Sequence, residues 1–331
     1  MTGQGRATAA AAPEAEMAGP SHSPLRRAIG RLVRKKVAMV ALAIIVTLYL
    51  IGIFAPLVAP RDYNQTDLRS VRQGPSATHW LGTDSLGRDI LSRVIWGMQT
   101  TVIITLVGLV TGSLILGVTL GLIAGYRGGL IDAAIARVGE VVAAFPDILL
   151  IILLAATLRP RIVDWARSVE DATGISGIVS SGVVDYFVVG AALLPLSWFG
   201  MMRLVRGQVL YLRRMPYVDA ARGAGVSTAR ILFVHLLPNT VGPIIVSASF
   251  GLGAVAGSEV FLSFLGLGVQ PPRPSLGWMI ADVSGRGAGS VSVLRNHPEQ
   301  LLAPIAVVWL LIFCWNLLGD ALNDVFNPRT K

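Results

Sequence analysis

The sequence is poor in the side chains that carry most enzyme chemistry. Cys314 is the only cysteine among 331 residues, so no intrachain disulfide forms and no cysteine-based zinc spacing can be built. The four histidines, His22, His79, His235 and His297, stand singly, and no metal site is expected. Lysine is confined to Lys35, Lys36 and Lys331. None follows a glycine-rich loop, so the GxxxxGK[ST] phosphate cradle is absent and ATP hydrolysis is expected on another chain. Charge itself is scarce, at 14% of residues against about a quarter in a typical soluble domain.

What fills the chain instead is apolar. Hydrophobic residues make up 53%, which points to a membrane protein, and the span-length runs that follow make it an all-α integral one. Residues 1–24 are rich in alanine, glycine and proline without periodicity, and read as a disordered tail. In residues 25–36, Leu25, Ile29, Leu32 and Val33 recur at helical spacing among Arg26, Arg27, Arg31, Arg34, Lys35 and Lys36. That is a basic amphipathic helix suited to an anionic lipid surface. Nucleic acid is the competing partner for such a run and for the net charge of +9. Its place directly before a membrane span argues for lipid.

Residues 37–60 contain no charge. The run suffices to cross a bilayer at about 20 residues per span, whereas a signal peptide's apolar core has about 7–15. A polar outer segment, 61–97, precedes a core at 98–320. The core's spans are expected at 101–126, 141–158, 186–202, 241–260 and 300–319, giving six in all. Residues 321–331 form a terminal segment, and 159–185 a polar loop. In that loop Ile162, Trp165, Ala166 and Val169 are spaced as on an interfacial helix.

Glycines mark the second span: Gly108 and Gly112, then Gly117, Gly121 and Gly125. Four-residue spacing stacks glycines on one face for close helix approach. At about 100° per residue the two series fall on different faces, which predicts packing on two sides. Two carboxylates interrupt the apolar runs. Asp147 is either a functional group at membrane depth or a residue at the span's polar end beside Pro146, and the second reading is preferred. Glu259 either lines a pathway or reaches the outer interface at the end of a full-length run, and again the second is preferred.

The longest polar interruption on one face, 203–239, holds YVDAARGAGVSTARILFVHLLPN at 217–239. Tyr217 to Ala224 reads as two turns of helix bearing a small-residue pair, Ala220 and Ala221. Gly225 falls where a left-handed helix end is expected. Ser227 caps the next run, with Pro238 near a turn. A short helix with a small-residue face suits docking into a groove on another protein.

Asp219, Ala220, Ala221, Gly225, Leu237 and Pro238, with His235 and Asn239, resemble the EAA loop of binding-protein-dependent ABC importers, in the dipeptide/oligopeptide/nickel branch. Aspartate stands in place of the usual glutamate. The strings at 82–97 and 261–277 resemble the same branch, although Leu276 replaces a usual tryptophan, and Asn323 and Asn327 replace a terminal arginine and aspartate. The resemblance implies a type I importer permease fold with the amphipathic segment as an elbow helix. It implies a sister permease in a heterodimer, two cytosolic ATPase subunits holding ATP and Mg, and an extracytoplasmic solute-binding protein. Tyr217, Asp219, Ala220, Ala221, Gly225, His235, Leu237 and Pro238 would couple to the ATPases, and the cargo would be di- or oligopeptides or a similar small solute. No catalytic residue is expected. An ion-coupled secondary transporter using Asp147 and Glu259 is the alternative reading. An intramembrane hydrolase would need a nucleophile and a base at depth, and His235 alone lies near a span.

Orientation follows from charge. With six spans, 17 of the 28 basic residues fall on the face holding both termini and 203–239, and 11 on the other. The positive-inside bias places the first face in the cytoplasm of an inner (plasma) membrane protein. In a Cys314→Ser background, single cysteines at Ser70, Ser168 and Ser290 should react with an impermeant maleimide on intact cells, and one at Ser227 should not. Outside labelling at Ser227 inverts the topology.

Overall fold

The computed structural model describes residues 24–286 and 290–326. The expected tail before Pro24 and residues 327–331, Asn327 among them, lie outside them, whereas 321–326 of the expected terminal segment continue the last helix. Helix α1 (Pro24–Arg34) leads through Lys35 into α2 (Lys36–Ile53). Then come α3 (Ile90–Arg127), α4 (Gly129–Ala143), α5 (Asp147–Thr173) and α6 (Val183–Leu212). The short α7 (Pro216–Gly223) precedes α8 (Thr228–Phe264), α9 (Leu276–Ala281) and α10 (Glu299–Phe326). Among the described residues there is no strand, only an isolated bridge between Thr83 and Asp89. Helices α2, α3, α6, α8 and α10 are each long and apolar enough to cross a membrane, and α4 with α5, bent by 90°, pass the same test as one broken span.

Several spans overrun their expected ends, and polar bonding explains why. The second begins at Ile90 rather than 101, because the polar residues ahead of it satisfy one another. Asp89 caps α3 by accepting from the Ser92 amide at 2.8 Å and hydroxyl at 2.7 Å. Asp84 accepts from Arg88 Nε at 2.7 Å and lies 3.4 Å from buried Arg93. The third span differs at both ends. Residues 141–143 belong to α4, and α5 runs on through Pro160 and the expected polar loop to a left-handed stop at Gly174, φ +71°. Arg159 Nη2 pairs with Asp185 at 2.7 Å, tying that extension to α6. Helix α6 likewise continues past 202 to Leu212.

Lys35 Nζ meets Asp324 at 2.6 Å, which puts the starts of the first span and the end of the last on one face. Arg213 Nη1, just before α7, donates to the Gly125 carbonyl at 3.0 Å, so α7 lies on that same face at the end of α3.

The bundle's tightest contact is α3 against α6. A Cβ on Gly117 would fall 2.8 Å from Met201 Cβ and from the Trp198 carbonyl oxygen. On Gly121 it would fall 2.7 Å from the Met202 carbonyl oxygen, and on Gly125 2.8 Å from Val209 Cβ. Gly112 faces Ser197. Four glycines thus face one helix, contrary to the expected split between two faces; only Gly108 looks elsewhere, to Val255. The cause is a π-helical stretch, Leu109–Val118. Its i→i+5 bonds widen the turn and bring the five-residue step from Gly112 to Gly117 closer to one full turn than an α-helix would. The glycines then match Ser197, Met201, Val205 and Val209, which are four apart.

Gly121→Val should therefore overpack, its side chain forced against the Met202 carbonyl oxygen and Val205. A cost of about 1–3 kcal/mol is typical of overpacking, and the melting temperature of the purified protein should drop. Gly207→Ala, where nothing lies within 4 Å of the new Cβ, should melt at or above wild type. Equal melting of Gly121→Val and wild type would contradict the packing.

Candidate functional site

Helix α7 is opened by Pro216 at its first position, where a missing N–H costs nothing. It is closed by a complete Schellman motif: Gly225 N–H donates to the Arg222 carbonyl and Val226 N–H to the Ala221 carbonyl, each at 3.0 Å. Gly225 has φ +73°, the conformation its position in the sequence predicts. The Ser227 side chain makes no capping bond; its carbonyl alone starts α8, accepting from the Ile231 amide at 3.0 Å.

The small-residue pair divides between two faces. Ala221 and Val218 turn inward and are buried with Leu122 of α3, Val205 and Val209 of α6, and Ile231 and Leu236 of α8. Tyr217, Ala220 and Ala224 turn outward and are exposed. Partial burial still raises the Tyr217 phenol above its ordinary pKa, so it stays neutral at physiological pH. Asp219 pairs with Arg222 at 3.2 Å on the surface. Arg222 also donates to the Tyr126 hydroxyl at 3.3 Å and lies over its ring. These contacts, which sequence spacing does not disclose, pin α7 to the end of α3. The Tyr126 hydrogen bond raises the Arg222 pKa further.

Pro238 does not mark a turn. It sits inside the unbroken helix Thr228–Phe264, preceded by a π-helical stretch, Ile231–Leu236. A proline lacks the N–H of an i→i−4 bond and crowds the carbonyl at i−4, and a wider local register accommodates both. Asn239 Nδ2 donates to the His235 carbonyl at 2.7 Å. His235 and Leu237 are half-buried there, while Pro238 is exposed.

The two span carboxylates have opposite fates. Glu259 does not reach the outer interface: it is fully buried. It accepts from Thr101 Oγ1 at 2.7 Å and from Ser263 Oγ at 2.9 Å, locking α8 to α3. Asp147 is exposed and opens α5 after the bend at Pro146. Because α4 lies beside Phe199, next to the mid-point break of α6 at Trp198, that bend falls halfway along the bundle rather than at a span's polar end. There Asp147 borders a cavity of about 250 Å³ shared with serines of α3, α6 and α8. Among the described residues, three or more His, Cys, Asp or Glu side chains nowhere cluster as metal ligands would.

Residues 117–331 match the family described as binding-protein-dependent transport system inner membrane component, and residues 23–75 the N-terminal TM domain of oligopeptide transport permease C. A dipeptide transport system permease protein of Alkalihalophilus pseudofirmus is 38% identical over 93% of this chain and 91% of its own. An oligopeptide transport system permease protein of Bacillus subtilis is 34% identical over 89% of this chain and 87% of its own. A glutathione transport system permease protein of Pectobacterium atrosepticum is 36% identical over 93% and 92%. With matches that cover most of its length from the amphipathic helix onward, the chain belongs to the binding-protein-dependent transport system inner membrane components, the membrane-spanning permeases of ABC importers.

Proposed function

We propose that this permease imports di- or oligopeptides and receives the energy of ATP through α7. The peptide assignment is supported by the names of its relatives, which carry dipeptides, oligopeptides and glutathione. In the assembled transporter it pairs with a sister permease, two cytosolic ATPases that hold ATP and Mg, and an extracytoplasmic binding protein. Both termini and α7 face the cytoplasm, in line with the basic excess on that face.

The observation that carries the coupling reading is the two-sidedness of α7. Its outward face offers Tyr217, Ala220 and Ala224 to a partner, with small residues permitting close approach. Its inward face shares one apolar cluster with α3, α6 and α8. A ligand shifts an alternating-access equilibrium only through contacts that differ between its states, and α7 is the element whose displacement would reach three spans at once. Asp219, Gly225, His235, Leu237 and Pro238 then serve in two ways: Asp219 and Pro238 at the exposed surface, and the others in setting the position of α7 and the start of α8. An ion-coupled mechanism gains no support from Glu259, which is sealed between two hydroxyl donors, and the relatives of the chain are binding-protein-dependent permeases; Asp147 is read as a contact for the solute.

Gly225→Val tests the coupling directly. No atom lies within 4 Å of a new Cβ there, so its effect comes from the backbone alone. A β-branched residue at φ +73° costs about 1–3 kcal/mol, enough to unwind a two-turn helix with little stability of its own. Peptide uptake by the assembled transporter should fall at least about tenfold, with loss of binding-protein-stimulated ATPase activity and normal membrane levels. Gly225→Asn, which tolerates the left-handed region, should restore most uptake, and Ser227→Ala should change little. Wild-type transport by Gly225→Val would remove α7 as the transmission element. In the same assays the purified permease without its ATPase subunits should turn over no ATP, and turnover by a contaminant-free preparation would refute the permease reading.

A further inference from the structure

We propose that Asp147 and the cavity it borders form a cation-binding station on the translocation path, which takes the α-ammonium of the passing peptide. The inference rests on the peptide reading for the identity of the solute, but not for the charge it prefers.

Four observations carry it. First, Asp147 stands at mid-bundle, at the 90° bend between α4 and α5. Second, it is the carboxylate at that depth without a partner: the structure gives it no hydrogen bond or ion pair among the described residues. By contrast Glu259 is occupied by Thr101 and Ser263, Asp185 by Arg159, and Asp132 by Arg206. A charge left open at membrane depth is costly and is normally matched by something that comes to it.

Third, the remaining cavity wall is rich in acceptors. Ser113, Ser197, Ser247 and Ser258 line it with Gly200. Ser113 Oγ donates to the Ser197 carbonyl at 2.9 Å and Ser197 Oγ to the Leu194 carbonyl at 3.0 Å. Both hydroxyl protons are thereby used within the protein, and oxygen lone pairs are what these two serines can offer. Those two oxygens can accept N–H groups, and the charge that favours a cation comes from Asp147. Fourth, through Ile151, Ala254 and Ser258 the cavity adjoins a second one of about 250 Å³ walled by Ile148, Ile152 and Phe261. An apolar wall of that kind accepts varied side chains without fixing them. One carboxylate beside a few hydroxyls also suits passage, because a station must hold a solute strongly enough to admit it and weakly enough to release it.

Gly200→Cys supplies the probe, since nothing lies within 4 Å of its new Cβ. In the assembled transporter, carrying Cys314→Ser, this cysteine should react about tenfold faster with a cationic methanethiosulfonate than with an anionic one of similar size. That ratio corresponds to a single charge-assisted contact. Adding Asp147→Asn should abolish the preference and Asp147→Glu should keep it. During turnover with loaded binding protein, a transported dipeptide should slow labelling, and its N-acetylated form should not. Absence of labelling, or labelling blind to reagent charge, overturns the proposal. So does loss of the sister permease on purification of Asp147→Asn, which would mean that a cation of that subunit occupies Asp147. If the wild-type transporter takes up no peptide yet keeps the charge preference, the peptide reading falls and the cation station stands.

Discussion

The backbone contact between α3 and α6 is the constraint on which the rest of the bundle depends. Over four successive glycines no side chain of α3 separates the two helices, and carbonyl oxygens of Trp198, Met202 and Arg206 come against its surface. Contacts at this range leave no slack, because close-packed interiors transmit displacement rather than absorb it. Dispersion over so close an interface is collectively large, and it offsets the poorer hydrogen bonding of the π-helical stretch that aligns the glycines. The pair behaves as one rigid unit. Helix α7 is seated on its end, through Val218 and Ala221 inside and the Arg222–Tyr126 pair at the rim.

The two carboxylates show how burial and bonding distribute roles. Transfer of an ionisable group out of water is expensive unless hydrogen bonds meet it. Glu259 is met from α3 by Thr101 and from its own helix by Ser263, and serves as a fixed cross-link. Asp147 is kept from such bonding by the bend that precedes it, which leaves its carboxylate facing a cavity instead of a neighbouring helix. Position along an apolar run does not distinguish these cases. Both residues look like the polar end of a span until the neighbouring helices are placed.

That limit defines what was legible in the sequence. Gly225 was legible because positive φ at a helix end is a demand that glycine meets best, and the demand is local. The apolar runs were legible because bilayer thickness fixes their length. Span ends were not: residues 90–100 and 159–173 carry charge of the kind that usually marks a loop, yet Asp84 meets Arg93 and Asp185 meets Arg159, while Arg161, Asp164, Arg167 and Asp171 lie on the exposed side of a continuing helix. The π-helical stretch in α3 has no composition of its own, so spacing alone assigned the glycines to two faces. For α7 the spacing gave a helix and its stop but not its phase, since Ala220 and Ala221 are equally small. The buried side was decided by the apolar cluster beneath.

The placement of the cavity completes the physical picture. It lies where two apolar clusters meet. One, beneath α7, includes Met201, Val205 and Val209 of α6 with Val118 and Leu122 of α3. The other, towards the opposite face, includes Ile151 and Ala155 of α5 with Val189 and Leu193 of α6 and Leu262 of α8. Met201 of the first and Ile151 and Leu193 of the second all border the cavity. Motion inside either cluster would open voids or force overlaps, each costing kilocalories. Helices α3, α6 and α8 run through both clusters, so the element with freedom at this boundary is the bend before Asp147, beside which part of the space is empty. Displacement of α7 acts directly on the first cluster, while the carboxylate of Asp147 is carried on the helix whose apolar face belongs to the second. On the proposed coupling, movement at the ATPase-facing end, carried by α3, α6 and α8, would change the distance between their serine wall and Asp147, which is what a station that must alternately hold and release its solute requires.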